Sequence, residues 1–167
     1  CLFASPPDKD LDWNDKGVEG SFRFLQRIWR LVVERIDILR AVEGTIDTFA
    51  GDDDLRVLLF KSHKTIRKVT DDIERFHLNT AISGVMELVN GIYKFLEMNR
   101  NDPAALSLLK GSVETVLTLL YPFVPHVTEE LWFLLHDGKS EIASRPWPRY
   151  RDEYTQEEKV LMVVTIN

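Results

Sequence analysis

Apolar residues recur at intervals of three and four through most of this 167-residue chain, which is the spacing of one face of an α-helix. The first such stripe begins near Gly17 and comprises Val18, Phe22, Leu25, Trp29, Val32, Ile36 and Leu39. The same spacing predicts further helices over about 53–76, 79–96, 103–121 and 126–135. The sequence therefore predicts an all-α, up-and-down helical bundle of about four long helices plus a short fifth.

The two ends of the chain do not follow the helical spacing. Residues 1–16 contain Ser5-Pro6-Pro7 and several Asp residues, which oppose a helix, so we predict a linker there. The helical domain is predicted over residues 17–137. Residues 138–167 indicate an irregular tail that ends in one β-strand over 160–166. Because a lone strand needs a partner, we expect it to be the first strand of a further domain in a longer protein.

Composition argues against several classes of protein. The chain has one cysteine, so it cannot form an internal disulfide or a cysteine-based zinc site. No apolar run approaches the roughly 20 residues that span a bilayer, so we expect no membrane contact. The single cysteine suits a reducing cytosol, so we expect a cytoplasmic protein. A net charge of −6 disfavours a dedicated nucleic-acid binder. The local distribution of charge decides where a phosphate backbone can bind, however, and here that distribution is uneven.

The first predicted helix carries a row of arginines. Arg23, Arg27 and Arg30 lie at i, i+4 and i+7, so they share one face of the helix. Such a row can place three guanidinium groups along a phosphate backbone. It can equally consist of solvated residues that pair with Glu19 and Glu34 at helical spacing. The residues alone leave both interpretations open.

The second predicted helix carries a basic run, with Lys61, Lys64, Arg67 and Lys68. The three lysines share a face, and the compensating acids begin only at Asp71. This face is therefore net positive within a chain that is net negative. Phosphate binding and plain solvation are both compatible with that pattern.

Motifs for catalysis or metal binding are absent from the sequence. Glu74-x-x-His77 is the unit used in bundle di-iron sites, but such a site requires a second copy, which the chain lacks. Neither a Gly-x-Ser-x-Gly elbow nor a glycine-rich phosphate loop occurs. The four tryptophans indicate packing anchors rather than base-stacking platforms. We predict no catalytic residue, no metal site and no cofactor in this chain.

Three longer strings carry a family resemblance. They are Phe3-Ala4-Ser5-Pro6-Pro7-Asp8-Lys9-Asp10-Leu11-Asp12-Trp13, His63-Lys64-Thr65-Ile66-x-Lys68-Val69-Thr70-Asp71-Asp72-Ile73-Glu74-Arg75-Phe76, and Pro122-Phe123-x-Pro125-His126-x-Thr128-Glu129-Glu130-Leu131-Trp132. With these strings and the sequence around Arg23 to Leu31, nearly the whole chain resembles the helical domain that follows the catalytic core of bacterial-type leucyl-tRNA synthetases. The segment 55–60 departs from that family, because it is more apolar than the basic, polar sequence expected at this position.

The resemblance implies a class I synthetase anticodon-binding-type domain whose parent enzyme is a leucine–tRNA ligase. That parent activates leucine with ATP and Mg in a catalytic domain outside this chain, and then esterifies leucine to tRNA(Leu). The implied partners are tRNA(Leu) and the catalytic and C-terminal domains of the same parent chain. The resemblance also implies that the domain holds the tRNA body by its backbone and does not read the anticodon. The domain alone is expected to be inactive.

A second interpretation gives the bundle a mainly mechanical role. It would then act as a rigid spacer between the domains of the synthetase, without substantial tRNA contact. Under this interpretation the basic faces are incidental.

Overall fold

The computed structural model describes residues 15–47 and 52–155 of the chain. These residues form six α-helices and two short 3-10 turns, and no strand occurs among them. The helices are α1 (Asp15–Val33), α2 (Ile36–Arg40), α3 (Asp53–Glu74), α4 (Leu78–Leu96), α5 (Pro103–Leu120) and α6 (Pro125–Leu135), and the 3-10 turns are Ile142–Ser144 and Asp152–Tyr154. The predicted all-α bundle is confirmed. The predicted strand over 160–166 and most of the predicted linker lie outside the described residues.

The helices α3, α4 and α5 pack against one another at the centre of the bundle, and α6 packs on α5 and α1. Only α5, among the described helices, has the length and composition that would allow it to cross a bilayer, and 67% of it is buried inside the bundle. This burial identifies α5 as the central core helix, so its apolar composition gives no indication of a membrane protein.

The starts of α3 and α5 are capped and held together by one arginine. The Asp52 side chain accepts hydrogen bonds from two backbone N–H groups of α3, and Asp102 accepts one from Ala105 at 3.1 Å. Between them, Arg100 pairs with Asp52 at 2.8 Å and with Asp102 at 2.7 Å. The Arg100 guanidinium holds the pKa of both carboxyl groups below the usual range. This arrangement fixes the start of α3 relative to the start of α5.

The predicted apolar stripe of the first helix is wrong for Val18, Phe22 and Trp29, although its member Val32 is buried. Phe22 is 59% exposed, Val18 is 49% exposed and Trp29 is 39% exposed. The buried side chains of α1 are Phe24, Ile28, Leu31 and Val32. This helix has apolar residues on two faces, and periodicity cannot tell which of the two a neighbouring helix will cover.

The predicted continuation of the first helix to Leu39 is also wrong. The helix ends at Val33, and α2 begins at Ile36 after a short turn. This break lets α2 contact α5 and α6, where Leu39 is fully buried.

The stripe of α3 is confirmed for most of its length. Leu55, Leu59, Ile66 and Val69 are buried, whereas Phe76 lies beyond the end of the helix and is 73% exposed. The one polar member, Ser62, is buried as well. Its hydroxyl is 3.1 Å from the Ser112 hydroxyl of α5, and this hydrogen bond satisfies both groups inside the core.

Candidate nucleic-acid interface

Three lysines of α3 line one groove between α3 and α4. Lys61, Lys64 and Lys68 lie along a depression of about 630 Å³, together with residues of α4 and of the 3-10 turn Asp152–Tyr154. The lining contains four basic side chains, because Arg56 joins the lysines, and two acidic ones, Asp53 and Glu87. The predicted sharing of a face by the three lysines is thus confirmed, and the groove is net positive.

Two glycines of α4 determine where the lysine side chains lie. A Cβ atom placed on Gly91 would be 2.6 Å from Cδ and 3.0 Å from Cε of Lys61, so this stem rests directly on the α4 backbone. A Cβ on Gly84 would be 3.3 Å from Cδ of Lys68. The glycines therefore allow two aliphatic stems to lie against α4 while their ammonium groups remain at the groove.

The three lysines of the groove differ in their surroundings. Lys68 Nζ is 2.6 Å from Asp72 Oδ2, an ion pair one helical turn along α3. Lys61 is half-buried by its contact with Gly91, and Lys64 is exposed. An anion in the groove would therefore compete with Asp72 for Lys68.

The fourth predicted residue of this helix, Arg67, does not line the groove. Its guanidinium lies 5.9 Å from the centre of the Tyr150 ring, and Nη1 donates to the Thr155 hydroxyl at 3.2 Å. Arg67 is thus turned toward the C-terminal segment of the described chain. Its charge remains exposed, but the structure does not bring it together with the three lysines.

The histidine in the basic run is a structural residue. His63 is buried, and its Nε2 lies 2.6 Å from the Ile46 carbonyl while Nδ1 accepts the backbone N–H of Arg151 at 3.1 Å. The neutral ring with a proton on Nε2 satisfies both bonds. Burial lowers the pKa of His63, and the nearby Arg151 charge lowers it further. This residue therefore joins α3 to two other segments and offers no charge to a ligand.

The arginine row of α1 is only partly free. Arg23 pairs with Glu19 across 3.6 Å, as the sequence allowed, with both side chains 66% exposed. Arg27 lies over the ring of Tyr93 on α4, with 4.7 Å between the guanidinium carbon and the ring centre. The Tyr93 hydroxyl also donates to the Arg27 carbonyl at 2.9 Å, which fixes α1 against α4. Arg30 is exposed.

The two basic groups border opposite sides of α4. The arginine row meets α4 at Tyr93, whereas the lysine groove meets it at Gly84 and Gly91. Tyr93 lies two residues after Gly91, which is about 200° around a helix. The solvent-facing side of α4, which includes the exposed Lys94, separates the two groups. One helix width therefore separates surfaces that are far apart in the sequence.

Sequence reasoning missed two features of the groove. The first feature is Arg56, which lies in the apolar segment 55–60 and was not assigned to the basic face. Its spacing of four from Phe60 and eight from Lys64 places it on their side of α3. The second feature is an aromatic pair, Phe60 and Tyr154, whose ring centres are 5.4 Å apart. Tyr154 comes from the C-terminal tail, so no local pattern could have placed it in the groove.

Comparison with known proteins identifies the family. Residues 56–167 match the family model described as the anticodon-binding domain of tRNA ligase. The chain is 46% identical to the leucine–tRNA ligase of Syntrophus aciditrophicus (strain SB) over 172 residues, covering 100% of this chain and 20% of that protein. It is 48% identical to the leucine–tRNA ligase of Geotalea uraniireducens (strain Rf4), covering 99% of this chain and 20% of that protein.

A solved structure agrees with these relatives. The chain superposes on a LeuRS from Agrobacterium radiobacter K84, in a LeuRS–tRNA–LeuAMS ternary complex, with a TM-score of 0.81 and 32% sequence identity. The match covers 94% of this chain and 20% of that one, so the chain spans about a fifth of the length of its relatives. The resemblance predicted from the sequence is confirmed. The chain belongs to the family of anticodon-binding domains of tRNA ligases.

Proposed function

We propose that this domain holds the body of tRNA(Leu) by its phosphate backbone while a leucine–tRNA ligase charges that tRNA with leucine. The relatives that match this chain over its whole length are leucine–tRNA ligases, and the similar solved structure is a complex that contains tRNA. In this proposal the domain only binds and orients the tRNA. ATP and Mg bind in another domain of a cytoplasmic parent enzyme, and no residue of this chain takes part in the chemistry.

The observation that supports the proposal most is the lysine groove between α3 and α4. Although the chain has a net charge of −6, Lys61, Lys64 and Lys68 line one depression. The aliphatic parts of Lys61 and Lys68 pack against two glycines of α4. Ammonium groups bind phosphate oxygens as point charges, without selecting a base. The groove therefore suits a backbone contact whose strength does not depend on sequence.

The arginines of α1 provide a second contact on the other side of α4. Arg27 is held in place by Tyr93, so its guanidinium loses less conformational entropy when it binds a phosphate. Arg23 and Arg30 extend the same row at helical spacing. Two contacts on opposite sides of α4 would fix the direction of a bound strand, which a single basic patch cannot do.

The salt dependence of tRNA(Leu) binding by the full-length ligase tests the proposal. Each phosphate contact contributes about 0.7–0.9 to the slope of log K against log salt. Lys64→Ala and Arg27→Ala are therefore each expected to weaken binding and to reduce the slope by about this amount. Lys139→Ala is the matched control, because Lys139 is an exposed lysine after α6 that belongs to neither contact. Unchanged affinity and slope in both test variants would refute the assignment of these faces.

One observation favours the alternative role as a rigid spacer. Several charges of the basic faces are already paired within the domain, including Arg23 with Glu19 and Lys68 with Asp72. If the domain is only a spacer, charge variants will leave aminoacylation unchanged, while a core variant such as Trp132→Ala will reduce it by destabilising the bundle. Trp132 is the appropriate choice because it is 1% exposed, whereas Trp29 is not a core residue.

A further inference from the structure

An apolar line runs along the outside of α1 over most of its length. It consists of Val18, Phe22, Leu25, Trp29 and Val33, at spacings of four, three, four and four residues. Phe22 is 59% exposed, Val18 is 49% exposed, and Trp29 and Val33 are each 39% exposed. From the first to the last of these residues the helix rises about 22 Å. The line is therefore a continuous strip and not a set of scattered surface residues.

This strip is distinct from the two surfaces already described. Each residue turns the helix by about 100°, which places the strip on one side of the buried residues Phe24 and Ile28. The arginine row lies on the other side of those buried residues. The helix α1 thus has a face for the bundle, a face for the proposed tRNA contact, and a third face that the described residues leave open.

The size of the strip limits what can cover it. At about 200 Å² for a whole aromatic side chain, Phe22 and Trp29 alone leave roughly 200 Å² in solvent, and the valines add to this. Apolar patches of a few hundred Å² mark interaction sites on soluble domains. A stable interface between separate proteins, however, buries about 800 Å² on each partner. A second copy of this chain or an independent protein would therefore need more surface than the strip offers.

A tethered partner needs less surface, because the link between the two parts holds them at an effective concentration on the order of mM. The leucine–tRNA ligases that match this chain are about five times its length, so four-fifths of each lies outside the matched region. Such a remainder supplies a partner on the same polypeptide.

We propose that the outer strip of α1 is the docking surface for another domain of the same ligase chain, which covers it with an apolar surface of its own. The bundle then has a fixed orientation in the ligase, with the strip toward the rest of the enzyme and the lysine groove and arginine row free for tRNA. The proposal depends on the proposed function only in that the chain is part of a ligase, since it requires no tRNA contact.

Thiol labelling in the full-length ligase tests the proposal. Phe22→Cys and Phe76→Cys are each labelled with a maleimide in the absence of tRNA, and each rate is divided by the rate for the same position in urea. Phe76 is the matched control, because it is 73% exposed and lies at the end of α3. We expect the thiol at position 22 to be protected at least about tenfold more than the thiol at position 76. Should Phe22→Cys fail to fold, Val18→Cys carries the same test.

Three results would overturn the proposal. Equal protection at positions 22 and 76 would show that the ligase leaves the strip open. Protection at position 22 that disappears on dilution would assign the strip to a second copy of the protein. Protection of the same size in the 167-residue chain alone would assign it to residues within this chain. Because no tRNA is present, a failure of the proposed phosphate contacts leaves these readouts unchanged.

Discussion

Replacing Gly91 by alanine separates the stability of the fold from the proposed binding of tRNA. In a helix interior, alanine is more favourable than glycine by about 0.8–1.0 kcal/mol. The added Cβ would lie 2.6 Å from Lys61 Cδ, so that side chain must move. The move costs about 0.5–1.5 kcal/mol if the lysine takes a strained rotamer, and less if it swings into solvent. We therefore expect a change of stability between a loss of about 0.7 kcal/mol and a gain of about 1 kcal/mol.

The same change displaces the Lys61 side chain from its contact with α4 at position 91. If its ammonium contacts a phosphate, tRNA(Leu) binding by the full-length ligase should weaken by on the order of 1 kcal/mol, or about fivefold. The slope of log K against log salt should decrease by about 0.7–0.9. Thermal unfolding of the domain, followed by circular dichroism, and tRNA binding at several salt concentrations measure the two effects separately.

Gly84→Ala is the matched control for this prediction. Its Cβ would lie 3.3 Å from Lys68 Cδ and 3.6 Å from Val69 Cγ2, which are contacts that a small adjustment can accommodate. We expect a similar gain in stability with nearly unchanged binding. If Gly91→Ala binds tRNA like the wild type while Lys61→Ala does not, the inference that Gly91 positions this lysine is wrong. A marked loss of stability in Gly91→Ala would instead show that Lys61 cannot move aside.

Three further perturbations follow from the packing and the titrating groups. Gly111→Ala should destabilise the domain by roughly 1–3 kcal/mol in urea titrations, because its Cβ would lie 2.6 Å from the Thr45 backbone, which cannot swing away as a lysine can; wild-type stability would contradict this. Because the pKa of His63 is lowered by folding, the unfolded chain binds a proton at this ring before the folded chain does as pH falls, so the stability that His63 contributes is complete above pH 6.5 and is lost as pH falls through the lowered folded-state pKa. The difference in unfolding free energy between wild type and His63→Gln should therefore shrink over that pH range. A constant difference would contradict this prediction. Arg100→Lys should lower the melting temperature, because an ammonium cannot make the forked contacts to both helix caps. Amide hydrogen exchange at the first turns of α3 and α5 should become faster in the same variant. Unchanged exchange there would show that the caps do not need the arginine.

Much of the fold could be predicted from local patterns. Asp102-Pro103 is a typical start of a helix, and the Asp102 carboxylate accepts the Ala105 N–H at the start of α5. Glycines inside a helix are typical of close packing against a neighbour, and both glycines of α4 lie against lysines of α3. These features depend on residues within one or two helical turns of each other, where hydrogen-bond geometry and side-chain spacing are fixed by the helix itself.

Less of the candidate site could be predicted. The spacing of Lys61, Lys64 and Lys68 indicated one face, and the structure confirms that they line one groove. Arg67 was predicted as part of the same basic run, but it lies against Tyr150 of the tail. That contact joins residues 83 positions apart in the sequence, and no local pattern contains it.

The sequence by itself determined that the chain is helical, where most of its helices begin and end, and which family it resembles. Only the tertiary structure decided which apolar face of α1 is buried, because Phe22 and Phe24 are equally apolar and the choice depends on which neighbour covers them. It likewise decided that the two basic groups flank α4. Helical periodicity is a property of the backbone and can be read locally, whereas burial and juxtaposition depend on contacts between distant segments.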